Sequence, residues 1–220
     1  MVYSRHLQQK VSLSIITTPM PDNKEEMNLL FFNGDKEELK ACRAKKIIDS
    51  LYKKKLIQPL TLVAFEGKAA DHGLEESDGS DANQYKKFND FVAGELYPFV
   101  KKKVVIRKFH SVAIYGSYAA ALSAFDIAWN NDEKIQRVGM LNPIITNRKT
   151  GDTSNLATLH SLRMRPNLDF WISAAGSDSV AQKFANTIGE KCKGAEIRFV
   201  PGKDESGEGF ADFLVWAFPR

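Results

Sequence analysis

Apolar residues fall along this chain in two patterns: short stretches dense in them, and longer stretches in which they return every three or four positions. Strand-like stretches rich in apolar residues cover 11–17 (closed by Thr18-Pro19-Met20-Pro21), 28–32, 60–65, 112–114, 137–141, 169–175 and 196–200. The run at 28–32 suits a strand buried on both faces, 60–65 reads as the next buried strand, and the others read as strands. The helical patterns cover 37–54, with Leu39, Ala44, Ile47, Ile48 and Leu51 as its apolar stripe, then 85–100, the segment after Ser117, 180–193 and 210–218. Residues 66–83 and 202–209 read as loops, and 144–166 as irregular or weakly helical. Strand and helix alternate throughout. That order predicts one α/β domain over residues 1–220, with a mostly parallel sheet covered by helices on both faces.

In such sheets chemistry collects on the loops that leave the carboxyl ends of strands. Those loops hold Asn33-Gly34-Asp35, Ser117, Asn142, Asp178 and Glu208. The stretch from His110 to Asn130 is the most informative. Val112, Ala113 and Ile114 form a short apolar strand, Tyr115-Gly116-Ser117 a sharp turn, and Ala121, Leu122, Phe125, Ala128 and Trp129 the apolar positions of a helix. A strand, a turn centred on serine and an immediate helix form the context of a G-x-S-x-G nucleophile elbow. In that frame Ser117 is expected to carry the strained backbone, with the Tyr118 amide facing developing negative charge at the helix N-terminus. Ala119 fits the second glycine. Tyr115 departs from the first, and a bulky residue there is expected to widen the turn. A serine at such a turn also serves as an ordinary helix cap, so the spacing leaves both roles open.

Composition narrows the classes. A chain of 220 residues, 43% hydrophobic and 26% charged, can bury a substantial core like any globular domain. Thirty-one Lys+Arg against 27 Asp+Glu leave +4, too small and too dispersed an excess to argue for nucleic acid. The triplets Lys53–Lys55 and Lys101–Lys103 follow helices and complement their C-termini. Two cysteines, Cys42 and Cys192, exclude a disulfide framework or cysteine-rich zinc site. No phosphate-binding glycine loop and no metal-ligand spacing occur, so no cofactor and no metal are expected. Neither a signal segment at the start nor a membrane-spanning run is visible, which points to a cytoplasmic protein without membrane contact. Exposed edge strands allow a homodimer.

The order of these parts resembles the α/β-hydrolase fold, and within it the putative esterase group that includes esterase D and enterochelin esterase. Residues 29–34 are similar to that group's hydrophobic strand ending in His-Gly or Asp-Gly, and Glu95-Leu96-Tyr97-Pro98 to its "EL-x-P" helix before the elbow strand. Residues 112–122 are similar to the elbow, 137–143 to the following strand, and Gly176-Ser177-Asp178 to the acid loop. The resemblance implies Ser117 as nucleophile, Asp178 as the acid, and amides of Gly34 or Asp35 and of Tyr118 as the oxyanion hole, with Asn33, Tyr115 and Asn142 lining the pocket.

It also implies a histidine in a late G-H-x-[FW] motif, where this chain reads Gly207-Glu208-Gly209-Phe210. A base must take the serine proton and return it, which histidine, with a pKa of about 6.5, does better at neutral pH than glutamate, at about 4.3. His72 and His160 are the substitutes to test, while His110 reads as structural and His6 as lying in a disordered or edge position. Two expectations follow. One is a degenerate esterase, weakly active or inactive, that keeps a pocket for a small acyl ligand or a partner. The other is an active serine esterase in which Ser117 works with an unusual base.

Overall fold

The computed structural model describes residues 1–66, 86–145, 167–174, 179–192, 194–201 and 207–220. A two-stranded hairpin, β1 (Val2–Ser4) and β2 (Gln9–Val11), precedes the main sheet. The sheet takes in β3 (Leu13–Thr17), β4 (Asn28–Asn33), β5 (Leu60–Phe65), β6 (Val112–Ser117), β7 (Arg137–Leu141), β8 (Asp169–Ala174) and β9 (Ile197–Pro201). Its order is β3-β5-β4-β6-β7-β8-β9, with β3 antiparallel to β5 and every other pair parallel. Each residue of β4 and β5 is buried, as expected for parallel strands covered on both faces.

Alternation along each strand sorts its residues into two cores. Leu29 and Phe31, Val63 and Phe65, and Val112 and Ile114 face one side. There they meet a π-helical segment (Phe91–Leu96), α3 (Tyr97–Lys103), α4 (Ala119–Trp129) and α5 (Ser179–Lys191). Leu30 and Phe32, Leu62 and Ala64, and Ala113 and Tyr115 face the other. That side is covered by α1 (Lys36–Ala41), α2 (Ala44–Lys53) and α6 (Glu208–Ala217). The sheet and its order place β4, β6 and the start of α4 at the centre of the molecule.

The sequence pattern missed three features. The helix expected over 37–54 is two helices, broken at Cys42-Arg43, where Arg43 takes a left-handed φ of 53°. Gly207, itself at φ 90°, packs into that corner; a Cβ on it would stand 2.8 Å from the Cys42 carbonyl oxygen and 2.9 Å from Ile47 Cδ1. The break and the glycine thus let α6 begin against α1 and α2. Second, the helix expected over 85–100 widens into the π turn before Pro98, which stands in the first turn of α3. Proline has no N–H to bond the preceding turn, so the helix relaxes its hydrogen-bond spacing there. Third, the polar residues of the β1–β2 hairpin gave no strand signal. Among the described residues no helix is long and apolar enough to cross a membrane.

Candidate functional site

One residue, Tyr118, separates β6 from α4, and it bears the strain of the turn. Its φ of 54° and ψ of −123° lie outside the regions a side-chain-bearing residue adopts readily. Gly116 explains why the turn is so tight. A Cβ there would collide with the carbonyl of Ala120 and come within 2.9 Å of the Ala121 nitrogen, so strand and helix backbones touch at this glycine. The strained position expected at Ser117 therefore lies one residue later, and the motif frame shifts with it. Gly116-Ser117-Tyr118-Ala119-Ala120 places the close-contact glycine first and tyrosine at the centre. Ser117 is half-buried and belongs to β6, paired in register with Leu141 of β7.

The expectation for Tyr115 changes as well. It does not widen the turn, because it points away from α4 into the opposite core, where it is 2% exposed. Its ring stacks on Phe32 at 5.6 Å and meets Phe210 at 5.2 Å and Phe213 at 5.0 Å. Burial drives the Tyr115 hydroxyl well above the ordinary phenol range. Tyr115 supports the floor under the turn.

The three amides expected to form an oxyanion hole are all engaged. Gly34 N–H donates to the Phe65 carbonyl at 3.0 Å, and Tyr118 N–H to the Leu141 carbonyl at 2.9 Å. Asp35 N–H donates to Glu38 Oε2 at 3.0 Å, while Glu38 N–H donates to Asp35 Oδ1 at 2.8 Å. That reciprocal pair is a capping box, with Asp35 as N-cap of α1. The loop after β4 is thus built to start a helix. Burial raises the Glu38 carboxyl, opposed by the Asp35 N–H and reinforced by the charges of Asp35 and Glu66.

Other expected pocket residues do sit beside the turn. Asn33, 1% exposed, pairs with Gly116 across β4 and β6, and its Nδ2 donates to the Ala120 carbonyl at 3.2 Å. This ties the end of β4 to the first turn of α4. Among the described residues, Asn33 Oδ1 is buried without a partner, as is Ser173 Oγ on β8. Asn142, at φ 45°, donates its N–H to the Ser173 carbonyl at 2.7 Å. A smaller cleft of about 180 Å³ opens at the carboxyl ends of β4 and β5, between Gly34, Asp35, Phe65 and Glu66.

Glu208, expected at the base position, stands on α6. It is the exposed first residue of α6, following the Gly207 corner, and its side chain makes no hydrogen bond or ion pair among the described residues. An acidic side chain there complements the helix dipole. His110 is exposed at the start of β6, with its N–H on the Met27 carbonyl at 2.9 Å, and His6 is exposed near Gly94. Asp178, His72 and His160 lie outside the described residues. Among the described residues no three His, Cys, Asp or Glu side chains gather as a metal ion would need.

The sequence profile described as putative esterase matches residues 4–210, nearly the whole chain. The chain belongs to the Putative esterase family. Comparison with curated protein sequences returns no match. Solved structures agree on the fold. The enterobactin esterase from Shigella flexneri in the presence of enterobactin superposes with a TM-score of 0.74 at 16% identity, over 98% of this chain and 57% of that one. A ferulic acid esterase superposes at 0.70 and 13% identity, over 99% and 95% of the two chains. A siderophore hydrolase from Aspergillus nidulans does so at 0.66 and 14%, over 96% and 91%. This family member therefore has the α/β-hydrolase fold, and it spans little more than half the length of the enterobactin esterase.

What the sequence reading missed at this site is the weight on Tyr118. The signal was present in Gly116, the one residue of the turn that leaves room for a helix backbone.

Proposed function

We propose that this esterase-family protein is a binding scaffold that has given up serine hydrolysis. The observation that carries the reading is the strained turn, which holds Tyr118 where a nucleophile would stand and leaves Ser117 inside a paired strand. Nucleophilic catalysis needs an activated hydroxyl next to a base and free donors for the oxyanion. Ser117 has no histidine among the described residues close to it, and the Gly34 and Asp35 amides after β4 are already bonded. A phenol at position 118 is bulkier than serine, and without a neighbouring base to activate it the hydroxyl is a poor nucleophile.

The retained function is recognition of a small ligand at the carboxyl ends of β4, β6 and β8. Asn33 Oδ1 and Ser173 Oγ are buried there without partners among the described residues, and buried polar atoms normally have one. Likeness to enterobactin esterase, ferulic acid esterase and a siderophore hydrolase suggests phenolic acyl esters or amides as the class to screen.

Intact-protein labelling with a fluorophosphonate tests the loss of catalysis. Wild type and Ser117→Ala should stay unlabelled from neutral to alkaline pH, while Tyr118→Ser should gain at least slow labelling. Stoichiometric labelling of wild type that disappears in Ser117→Ala would overturn the proposal and restore an active serine esterase.

A further inference from the structure

A second cavity, of about 370 Å³, opens away from the β6–α4 turn, between edge strand β3 and helices α1 and α2. None of Ser117, Tyr118 and Glu208 lines it. Ile16 of β3 and Leu39 of α1 give it an apolar floor. Its walls carry five cations, Lys36, Lys40, Arg43, Lys45 and Lys46, and among the described residues no acidic side chain lines it.

Partners for those cations are few. Lys40 pairs with Glu37 and Lys45 with Asp49, both at 2.7 Å. Both acids are well exposed, at 72% and 42%, so neither pair is strong. Lys36, Arg43 and Lys46 form no salt bridge among the described residues. Arg43 is the N-cap of α2, and Lys45 and Lys46 stand in its first turn. Cations there face the positive end of the helix dipole as well as each other, an arrangement that costs stability until an anion joins it. A volume of this size matches a small-molecule site.

We propose that this cavity binds an amphiphilic anion, with one carboxylate or phosphate head among Lys36, Arg43 and Lys46 and a short apolar body over Ile16 and Leu39. Charge complementarity selects the head, and the apolar floor selects the body. A free phosphate would leave the floor wet, and a neutral alcohol would leave the cations unmatched.

Calorimetric titration of the full chain with octanoate, octyl phosphate, inorganic phosphate and octanol tests both halves. Octanoate and octyl phosphate should bind one to one and weaken with added salt. Phosphate and octanol should bind about tenfold more weakly or worse. The double variant Arg43→Glu/Lys46→Glu should lose about tenfold or more in affinity for octyl phosphate. Ile16→Ser should weaken octyl phosphate and leave phosphate unchanged. Folding is read separately: without ligand, the double variant should melt no lower than wild type, because the crowding of like charge is relieved. Equal binding of phosphate and octyl phosphate would overturn the amphiphile. Full affinity in a folded double variant would overturn the site. Sedimentation with phosphatidylglycerol vesicles distinguishes the source of the head group. Vesicle association that the double variant abolishes, without binding of octyl phosphate, would overturn a soluble ligand in favour of a lipid surface.

Discussion

Tyr118 sits in a backbone conformation that glycine enters without a Cβ penalty and alanine does not. Tyr118→Gly and Tyr118→Ala both remove the ring, so comparing them isolates the backbone contribution. The glycine variant should be the more stable of the two by about 1–2 kcal/mol in urea unfolding. Equal stabilities would mean that φ 54° and ψ −123° store no strain. This position also shows what the sequence could and could not yield about the site. The strand, the abrupt turn and the helix were legible from apolar spacing. The motif frame was not, because a serine drew the pattern onto itself, whereas the constraint that sets the frame is the contact of Gly116 with the Ala120 backbone. Tyr115 misled for the same reason. Read as the first motif residue it should disturb the turn, yet alternation along β6 sends it to the opposite face. The loop after β4 gives a different lesson. Its Asp35 and Glu38 spell a capping box in sequence, and the structure commits the Asp35 amide to that box.

The β1–β2 hairpin, invisible in the apolar pattern, is fastened at element scale by a carboxylate beside the apolar packing of Val2, Leu7 and Val11 on the core. Glu95, on the π-helical segment, accepts the Arg5 N–H at 3.0 Å, while its Oε2 is buried without a partner among the described residues. Burial pushes its carboxyl up, but hydrogen bonds from Ser4 and the Arg5 N–H, with the charges of His6 and Arg5, carry it below the ordinary range. The Arg5 side chain is 88% exposed, so its ion pair is screened and the backbone bond matters more. An acid whose folded pKa lies below its unfolded value, about 4.3, adds stability above that value. The contribution is lost as pH falls through the lowered folded value. Glu95→Gln should therefore be less stable than wild type at pH 7, by about 1 kcal/mol once solvent screening of the ion pair is discounted. The two should converge as pH drops below about 4. A gap that stays constant over that range would mean the charge on Glu95 holds nothing. The π turn and the break at Arg43 share the reason they escaped the sequence. Both arise where neighbouring elements, or a proline, override a continuous helical period.

The arrangement of the whole molecule was the most legible property, since strand–helix alternation dictates a covered parallel sheet almost regardless of detail. Sheet order follows from less local facts, and it has a measurable consequence. β4 and β6 lie side by side at the centre, each paired on both edges and nearly all buried. β3 and β9 are the edges of the sheet, and neither has a fully buried residue. The β1–β2 hairpin stands apart with two short strands, only one buried residue in each. Local opening costs little where few apolar contacts are broken, and approaches global unfolding where many are. Hydrogen exchange at neutral pH should therefore rank β4 and β6 slowest, β3 and β9 faster, and β1–β2 fastest. Because Glu95 helps to fasten the hairpin, Glu95→Gln at neutral pH should accelerate exchange in β1–β2 first, with little change in β4 and β6. If hairpin and central strands instead exchanged together and responded equally to Glu95→Gln, the hairpin would have to be an integral part of the folding core rather than an attachment to it.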